Sequence, residues 1–165
     1  MIIDKQIVDI IESAGIDVVL SLPCNMLSGI MDEITLRNIK HVPLCREEEG
    51  IGIAAGVVLA GKRPMILMQN SGLGNCVNAL MSLTTLYEMP LLILMSHRGG
   101  EGEQISAQKP MGKAAPLILD AMKIDHISIG EINELDGLKT DIDYAFDNNE
   151  ILVVFLKREL WHEAN

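Results

Sequence analysis

The sequence is poor in aromatic residues and in basic charge, and it contains no long apolar run. Aromatic side chains make up 3% of the 165 residues, which are too few for the stacking platform that binds single-stranded nucleic acid. The formal net charge of −10 would repel a phosphate backbone, so no nucleic acid is expected as a partner. No run of about 18 apolar residues occurs, which predicts that the chain does not span a membrane.

Paired cysteines are missing as well. Cys24, Cys45 and Cys76 are odd in number, form no CxxC pair and lack the spacing of a metal site. They are typical of reduced thiols, and the first residues have none of the features of a signal peptide. We therefore expect a cytoplasmic protein that has no disulfide and binds no metal ion through its own residues.

Segments of helical and extended character alternate along the whole chain, in which 48% of the residues are hydrophobic. The apolar spacing predicts strands at 17–22, 41–45, 65–69, 90–96, 125–129 and 151–156. It predicts helices at 3–14, 27–36, 47–60, 75–87, 113–122 and 133–147. This order indicates an α/β fold, a doubly wound and mostly parallel six-stranded sheet with helices on both faces. Residues 1–165 are expected to form one domain that binds its ligands beyond the carboxyl ends of the strands.

The most informative segment joins a predicted strand to an unusual helix. Residues 45–56 read CREEEGIGIAAG, so three acids open a helix that has three glycines in seven positions. Each glycine in a helix interior costs roughly 1 kcal/mol relative to alanine, and we therefore expect another helix or a ligand to approach closely. A carboxylate beside such a contact is poorly hydrated and suited to hold or pass a proton. Acids at a helix start also complement its dipole, which is the interpretation we favour for Glu48 and Glu49.

A Glu nine residues before a glycine in such a helix, followed by another glycine and a strand, resembles the pyrimidine-binding domain of thiamine-diphosphate enzymes. In that family the Glu contacts N1′ of the aminopyrimidine of the cofactor. Counting back from Gly56 leads to Glu47. The resemblance therefore implies that Glu47 is both the catalytic carboxylate and a ligand of thiamine diphosphate.

The loop at 69–75, QNSGLGN, follows the third predicted strand. Its glycines allow backbone N–H groups to approach an anion, and a predicted helix starts directly after it. The spacing alone fits a tight strand-to-helix turn equally well, since neither the Lys of a P-loop nor a GxGxxG pattern is present. In thiamine-diphosphate enzymes the corresponding loop lies against the pyrimidine. The resemblance thus implies that Asn70, Ser71 and Gly72 bind the cofactor.

Asn25, in the loop after the first strand, stands where related decarboxylases often have an Asp that assists proton transfer. An amide cannot act as an acid or base, so Asn25 is expected to donate a hydrogen bond to the acid group of a substrate. A plain turn-forming residue is the alternative that the sequence leaves open.

The long loop predicted at 97–112 contains the main basic cluster near a strand end. Loops of this length are usually functional or disordered. His97, Arg98 and Lys109 are predicted to bind the charged end of a small anionic substrate, with Lys113 nearby. A solvated loop with incidental charges is the open alternative.

The second half of a thiamine-diphosphate enzyme is absent from the sequence. In the family, that half holds the diphosphate through Mg²⁺ with a GDG motif, and no GDG occurs here. We therefore expect a beta subunit that carries the diphosphate and Mg²⁺ site. The active enzyme is expected to be a hetero-oligomer with its site between the chains.

Among families divided in this way, the chain resembles the alpha subunits of sulfopyruvate decarboxylase in its small size and its LPCN, REEEG and HRG segments. The resemblance implies a lyase that converts the 2-oxoacid 3-sulfopyruvate to sulfoacetaldehyde and CO2 in coenzyme M biosynthesis. A subunit of a phosphonopyruvate decarboxylase or of an acetolactate-type enzyme is the alternative. A third interpretation is a non-catalytic regulatory subunit that binds a nucleotide at residues 70–75, which leaves the helix at 47–60 unexplained.

Overall fold

A computed structural model describes residues 2–161, in which strands and helices alternate along the chain. The strands are β1 Val18–Ser21, β2 His41–Pro43, β3 Pro64–Gln69, β4 Leu91–Ser96, β5 Asp125–Ile129 and β6 Ile151–Leu156. The α-helices are α1 Ile2–Ser13, α2 Ser28–Leu36, α3 Glu47–Leu59, α4 Leu73–Ala79, α5 Lys109–Met122 and α6 Leu138–Asp147. No helix in this part of the chain is long and apolar enough to cross a bilayer.

The six strands form a single sheet in the order β2-β1-β3-β4-β6-β5. Every pair of neighbouring strands is parallel. The predicted α/β fold with a doubly wound, six-stranded sheet is confirmed, and the sheet is parallel throughout. All six strands therefore point their carboxyl ends to the same edge.

Each face of the sheet has its own apolar core, because successive side chains of a strand point to opposite faces. Along β3, Met65 and Leu67 pack against α1, α2 and α6, whereas Ile66 and Met68 pack against α3, α4 and α5. Burial on both sides explains the continuous apolar runs that predicted the central strands. The helices on both faces are thus confirmed, and they leave the strand ends free for a site.

The fifth helix begins earlier than the sequence predicted. Its first residue is Lys109 rather than Lys113, so Lys109 lies on α5 and not in a loop. Pro110 had suggested continued loop, but proline is tolerated in the first turn of a helix, where its missing N–H would have no intrahelical acceptor. The loop predicted at 97–112 is therefore wrong in its last four residues.

The fourth helix also differs from its prediction of 75–87. It begins at Leu73, and from Leu80 to Thr85 the chain continues in π-helical form. Leu73 follows directly on a 3-10 turn at Asn70–Gly72, so that the loop after β3 is only one turn long. The short loop brings the start of α4 close to the carboxyl end of β3.

Three neighbouring strands define the place where a site can form. β1 has β2 on one side and β3 on the other, so the direction of strand addition reverses there, a position at which ligands of such sheets bind. β4 lies next to β3, and the register places Gln69 beside Ser96 as the last residues of these strands. The loops after β1, β3 and β4 consequently adjoin one another.

Candidate active site

Glu47 is the first residue of α3, and its half-buried side chain lies across the backbone of Gly72. A Cβ atom on Gly72 would lie 2.4 Å from Glu47 Cγ and 2.6 Å from Oε1, so only glycine leaves room for this carboxylate. Asn75 Nδ2 donates a 3.1 Å hydrogen bond to Glu47 Oε2. No group of residues 2–161 forms a hydrogen bond with Glu47 Oε1. One carboxylate oxygen is therefore fixed, and the other is open to a group from outside this part of the chain.

The two acids that follow Glu47 serve the start of the helix. The side chains of Glu48 and Glu49 are both exposed. Glu49 Oε2 accepts a 3.0 Å hydrogen bond from the backbone N–H of Cys45, which fixes the segment that enters α3. Negative charge in the first turn of a helix adds about 0.3–1 kcal/mol per residue. Of the three acids, Glu47 alone contacts the loop after β3.

A buried thiol lies close to Glu47 on α4. Burial, followed by the negative charges of Glu47 and Glu48, raises the pKa of the Cys76 thiol to about 12. Cys76 thus stays a neutral thiol at physiological pH and cannot compete with Glu47 as a proton carrier. Cys76 itself is fully buried, as a member of the apolar core on this face of the sheet.

Asn70 joins the loop after β3 to the loop after β4. Its side chain is fully buried. Asn70 Nδ2 donates to the carbonyl oxygen of Arg98 at 2.9 Å, and Oδ1 accepts from the N–H of Arg98 at 3.1 Å. Both polar atoms of the amide are therefore used within the chain. A cofactor contact by Asn70 stays a prediction, and it would involve the backbone.

Arg98 forms an ion pair with Glu103 inside its own loop. The guanidinium Nε and Nη2 donate to the two carboxylate oxygens at 2.7 and 2.9 Å. Those oxygens also accept the backbone N–H groups of Gly99 and Ile105. The side chain of Glu103 is 5% exposed and that of Arg98 17%. The pair organises the loop after β4, and a substrate contact by Arg98 stays a prediction.

We expect the substitution Glu103→Gln to lower the melting temperature at neutral pH, because the single oxygen of an amide cannot accept hydrogen bonds from both Nε and Nη2 of Arg98. Arg98, and then the N–H of Ile105, hold the pKa of Glu103 well below its ordinary value of 4.5. A lowered carboxyl pKa contributes stability above that ordinary value, and the contribution is lost as the pH falls. The difference in melting temperature between wild type and variant should therefore shrink below about pH 4.5, as thermal unfolding across the acid range would measure.

Glu101→Gln is the matched control, because Glu101 is an exposed residue of the same loop that has no ion pair within residues 2–161. It should melt like the wild type at every pH. Equal melting temperatures of Glu103→Gln and Glu101→Gln at neutral pH would contradict the anchoring role of Glu103.

His97 and Lys109 lie beside an open cleft of about 620 Å³ between the loop after β4 and the start of α5. His97 Nε2 donates to the carbonyl oxygen of Gly112 at 3.0 Å, and its ring lies 4.9 Å from that of Phe155. Lys109 is exposed and, like Lys113, forms no ion pair with residues 2–161. The two lysines are thus the free cations of this cleft, whereas His97 is held by the fold.

Asn25 lies in the loop after β1, in a 3-10 turn directly after Cys24. Its side chain is exposed and has no hydrogen bond within the described part of the chain. The side-chain amide is therefore available to donate a hydrogen bond to a substrate. The structure does not bring Asn25 into contact with Glu47 or Lys109.

A cluster of uncharged polar groups, which the sequence did not reveal, connects the three loops. Gln69 Nε2 donates to Ser71 Oγ at 2.6 Å and to Gln108 Oε1 at 3.0 Å. Cys24 Sγ lies 3.2 Å from Ser96 Oγ and 3.9 Å from Gln69 Oε1. Gln69 therefore links the end of β3 to the loop after β1 and to the residue before α5. The available signal was that a polar residue ends the apolar run of β3, as Ser96 ends that of β4.

Comparison with known proteins gives a consistent family match. Residues 1–123 match the family described as "Thiamine pyrophosphate enzyme, N-terminal TPP binding domain". The chain is 44% identical over 154 residues to the sulfopyruvate decarboxylase subunit alpha of Methanothermobacter thermautotrophicus, which covers 91% of this chain and 92% of that subunit.

Two other relatives differ more in length. The chain is 37% identical over 161 residues to the sulfopyruvate decarboxylase of Methanosarcina acetivorans, which covers 98% of this chain but only 41% of that protein. It is 33% identical over 95 residues to the phosphonopyruvate decarboxylase of Streptomyces hygroscopicus, covering 57% of this chain and 24% of that protein. The chain thus spans about two fifths of the length of the Methanosarcina relative.

Proposed function

This chain belongs to the thiamine pyrophosphate enzymes, as an N-terminal TPP binding domain, and we propose that it is the alpha subunit of a sulfopyruvate decarboxylase. The proposed reaction converts 3-sulfopyruvate to sulfoacetaldehyde and CO2, a step of coenzyme M biosynthesis. Similarity over about nine tenths of both chains to a sulfopyruvate decarboxylase alpha subunit supports this reaction. The structural observation that carries the proposal is the carboxylate of Glu47 packed on Gly72, with one oxygen held and one open.

Glu47 and the loop at Asn70–Gly72 fit the aminopyrimidine half of thiamine diphosphate, which is the same compound as thiamine pyrophosphate. The fit rests on two features, the absence of room for a side chain on Gly72 and the unused oxygen of Glu47. Bound thiamine diphosphate supplies the electron sink for the decarboxylation of a 2-oxoacid. Glu47 Oε1 would contact a ring nitrogen, and the backbone of the loop would lie against the ring.

Glu47 is proposed to hold the proton that it shares with N1′ of the pyrimidine. Asn75 fixes the orientation of the carboxylate through Oε2, so Oε1 would face the ring without any movement of the side chain. Neither Asn75 nor Ser71 can exchange a proton with a base near neutral pH, and Cys76 stays a neutral thiol. Among the described residues in contact with this loop, Glu47 is therefore the one suited to acid–base chemistry.

The charged end of the substrate is proposed to lie at the cleft of Lys109, with Asn25 as a neutral donor from the loop after β1. Lys109 is free of ion pairs within residues 2–161 and carries the charge that an anionic acid group requires. Arg98 is proposed to contact the substrate as well, and Glu103, which engages its guanidinium at two positions, organises the loop that carries it. His97 supports this cleft through its hydrogen bond to Gly112.

The missing half of the site is proposed to come from a beta subunit that binds the diphosphate and Mg²⁺. The relative from Methanothermobacter thermautotrophicus is named as a subunit alpha, which implies a partner subunit. In the Methanosarcina relative, about three fifths of the protein lies outside the part that this chain matches. That additional length is where a diphosphate-binding half would be expected.

The exposed side of α3 is the surface proposed to contact the beta subunit. Gly50 packs within the chain, since a Cβ atom there would lie 2.7 Å from Leu44 Cδ1. Gly52 and Gly56 are exposed on one side of the helix, and a Cβ atom on either would meet no atom within 4 Å. Leu59 at the end of the helix is 77% exposed. The close neighbour predicted for these two glycines is thus not found within residues 2–161, as expected if it belongs to another chain.

The chain is proposed to act as a single domain in the cytoplasm. Its strands share one sheet, with no second sheet in residues 2–161. Cys24, Cys45 and Cys76 are free thiols, which are typical of a reducing compartment.

The experiment that tests the function is copurification from the source organism, followed by an assay of CO2 release from 3-sulfopyruvate, phosphonopyruvate and pyruvate. We expect a second chain and thiamine diphosphate to accompany the protein and 3-sulfopyruvate to have the highest kcat/KM. Preference for phosphonopyruvate would favour the alternative substrate, for which the weaker similarity is the supporting observation. A lone chain that binds a nucleotide and no thiamine diphosphate would overturn the proposal.

A further inference from the structure

We infer that Gln108 is a specificity-determining residue, whose side-chain amide donates a hydrogen bond to the acid group at the end of the substrate remote from the oxo carbon. The inference rests on the proposed function and extends it to a residue to which neither the sequence nor the relatives assign a role. It starts from the polar cluster around Gln69 at the carboxyl edge of the sheet.

The amide of Gln69 is fixed in orientation by three neighbours. Its Nε2 donates to Ser71 Oγ and to Gln108 Oε1, which uses both of its hydrogens. Its Oε1 lies 3.9 Å from Cys24 Sγ and accepts a weak hydrogen bond from the thiol. Because Gln69 is the last residue of β3 and pairs in register with Ser96, its backbone is held by the sheet. The Gln69 amide therefore has a fixed position and orients the side chains that bond to it.

The hydrogen bond from Gln69 orients the side chain of Gln108. Its Oε1 accepts the hydrogen bond of Gln69, so the two hydrogens on Nε2 are directed away from Gln69. No acceptor for them exists within residues 2–161, and the side chain is half-buried. Ser71 likewise accepts from Gln69, which leaves its hydroxyl hydrogen free to donate. The cluster thus presents two oriented donors, from Gln108 and from Ser71, on neighbouring loops.

A sulfonate matches these donors better than a neutral substituent does. It has three acceptor oxygens, so it can accept from both Gln108 and Ser71 and keep one oxygen for a further partner. A methyl group in the same place would leave the donors without acceptors, and an unpaired polar group at a partly buried site opposes binding. Gln108 would therefore favour an acid with an anionic group over pyruvate.

The substitution Gln108→Glu tests this role. The variant keeps the oxygen that accepts from Gln69, but it removes the donor and adds a negative charge. In the complete enzyme with its partner subunit we expect the KM for 3-sulfopyruvate to rise roughly 10- to 100-fold, as for the loss of a hydrogen bond to a charged group, while kcat changes much less. The inhibition constant of 3-sulfopropanoate, which has no oxo group to react, should rise by the same factor. Thiamine diphosphate binding, followed by fluorescence quenching, should not change.

Gln104→Glu is the matched control, since Gln104 is an exposed residue of the same loop with no hydrogen bond to residues 2–161. It adds the same charge and should change KM by less than about threefold, because exposed charges are screened by salt. Equal KM changes in the two variants, or an unchanged KM in Gln108→Glu, would overturn the assignment. If Gln108→Glu did not assemble, Gln108→Ala would be compared through the inhibition constant of 3-sulfopropanoate. A wild-type complex inactive on 3-sulfopyruvate would refute the proposed function instead.

Discussion

Replacing Glu47 by Gln is expected to lower kcat for 3-sulfopyruvate by roughly 10²- to 10⁴-fold, the range that general acid–base groups contribute. The amide is nearly isosteric, and its oxygen can still accept the hydrogen bond of Asn75 Nδ2. It cannot hold or release a proton, so the acid–base function at the pyrimidine is lost while the packing on Gly72 is kept. Steady-state kinetics of the assembled enzyme, together with its thermal unfolding, would measure both effects.

Glu48→Gln serves as the control, because it removes a negative charge from the same helix turn at an exposed position. It should leave kcat within about threefold of the wild type, since an exposed charge is largely screened. Near-normal turnover by a folded Glu47→Gln complex would reject Glu47 as the catalytic carboxylate, and with it the structural basis of the proposed function.

Replacing Gly72 by Ala is expected to reduce kcat by about 100-fold or more, because a displacement of about 1 Å in a catalytic group can have that effect. The new methyl group would lie 2.4 Å from Glu47 Cγ, which is closer than atoms approach without movement. Since Cγ lies near the base of the side chain, Glu47 would have to adopt a different rotamer. The backbone of Gly72 is in the right-handed helical region, with φ of −69°, so alanine causes no backbone strain. The loss should therefore appear in activity far more than in stability.

Gly74→Ala is the matched control for this substitution. A Cβ atom on Gly74 would have Met111 Cε at 3.9 Å as its nearest neighbour, which is an ordinary contact. Alanine within α4 should raise the free energy of unfolding by roughly 0.5–1 kcal/mol and leave kcat unchanged. The double variant Glu47→Gln, Gly72→Ala should be no less active than Glu47→Gln alone, because both changes remove the same function. Additive losses would show that Gly72 acts independently of Glu47.

The sheet could be predicted closely from the sequence, because strands buried on both faces leave continuous apolar runs. The last strand was predicted at 151–156 and is observed at Ile151–Leu156. The helix ends were less well predicted. Pro110 fits both a loop and the first turn of a helix, and only the packing of α5 decides between them. Close backbone contact of Gly112 with Arg98 and Gly99 fixes the helix start at Lys109.

In the site, too, a feature carried by neighbouring residues could be predicted, and contacts between distant residues could not. Glu47 could be predicted because its evidence is local, a carboxylate at the start of a glycine-rich helix. The engagement of Asn70 by the backbone of Arg98 could not, since the two residues are 28 positions apart. The pairing of Arg98 with Glu103 lies within one loop. An arginine or a glutamate in a loop can equally well bind a substrate, however, and the sequence does not show where their side chains point.

The sequence by itself determined the fold class, the family resemblance and the choice of Glu47, since each depends on periodicity or on spacing within about a dozen residues. The tertiary structure decided which polar groups are free. Hydrogen bonds across the carboxyl edge engage Asn70 and Arg98, leave Lys109 without an ion pair within residues 2–161, and orient Gln108 through Gln69. The reason is physical. A buried polar group must find a partner, and in a parallel sheet those partners come from strand ends that are far apart in the chain and adjacent in space.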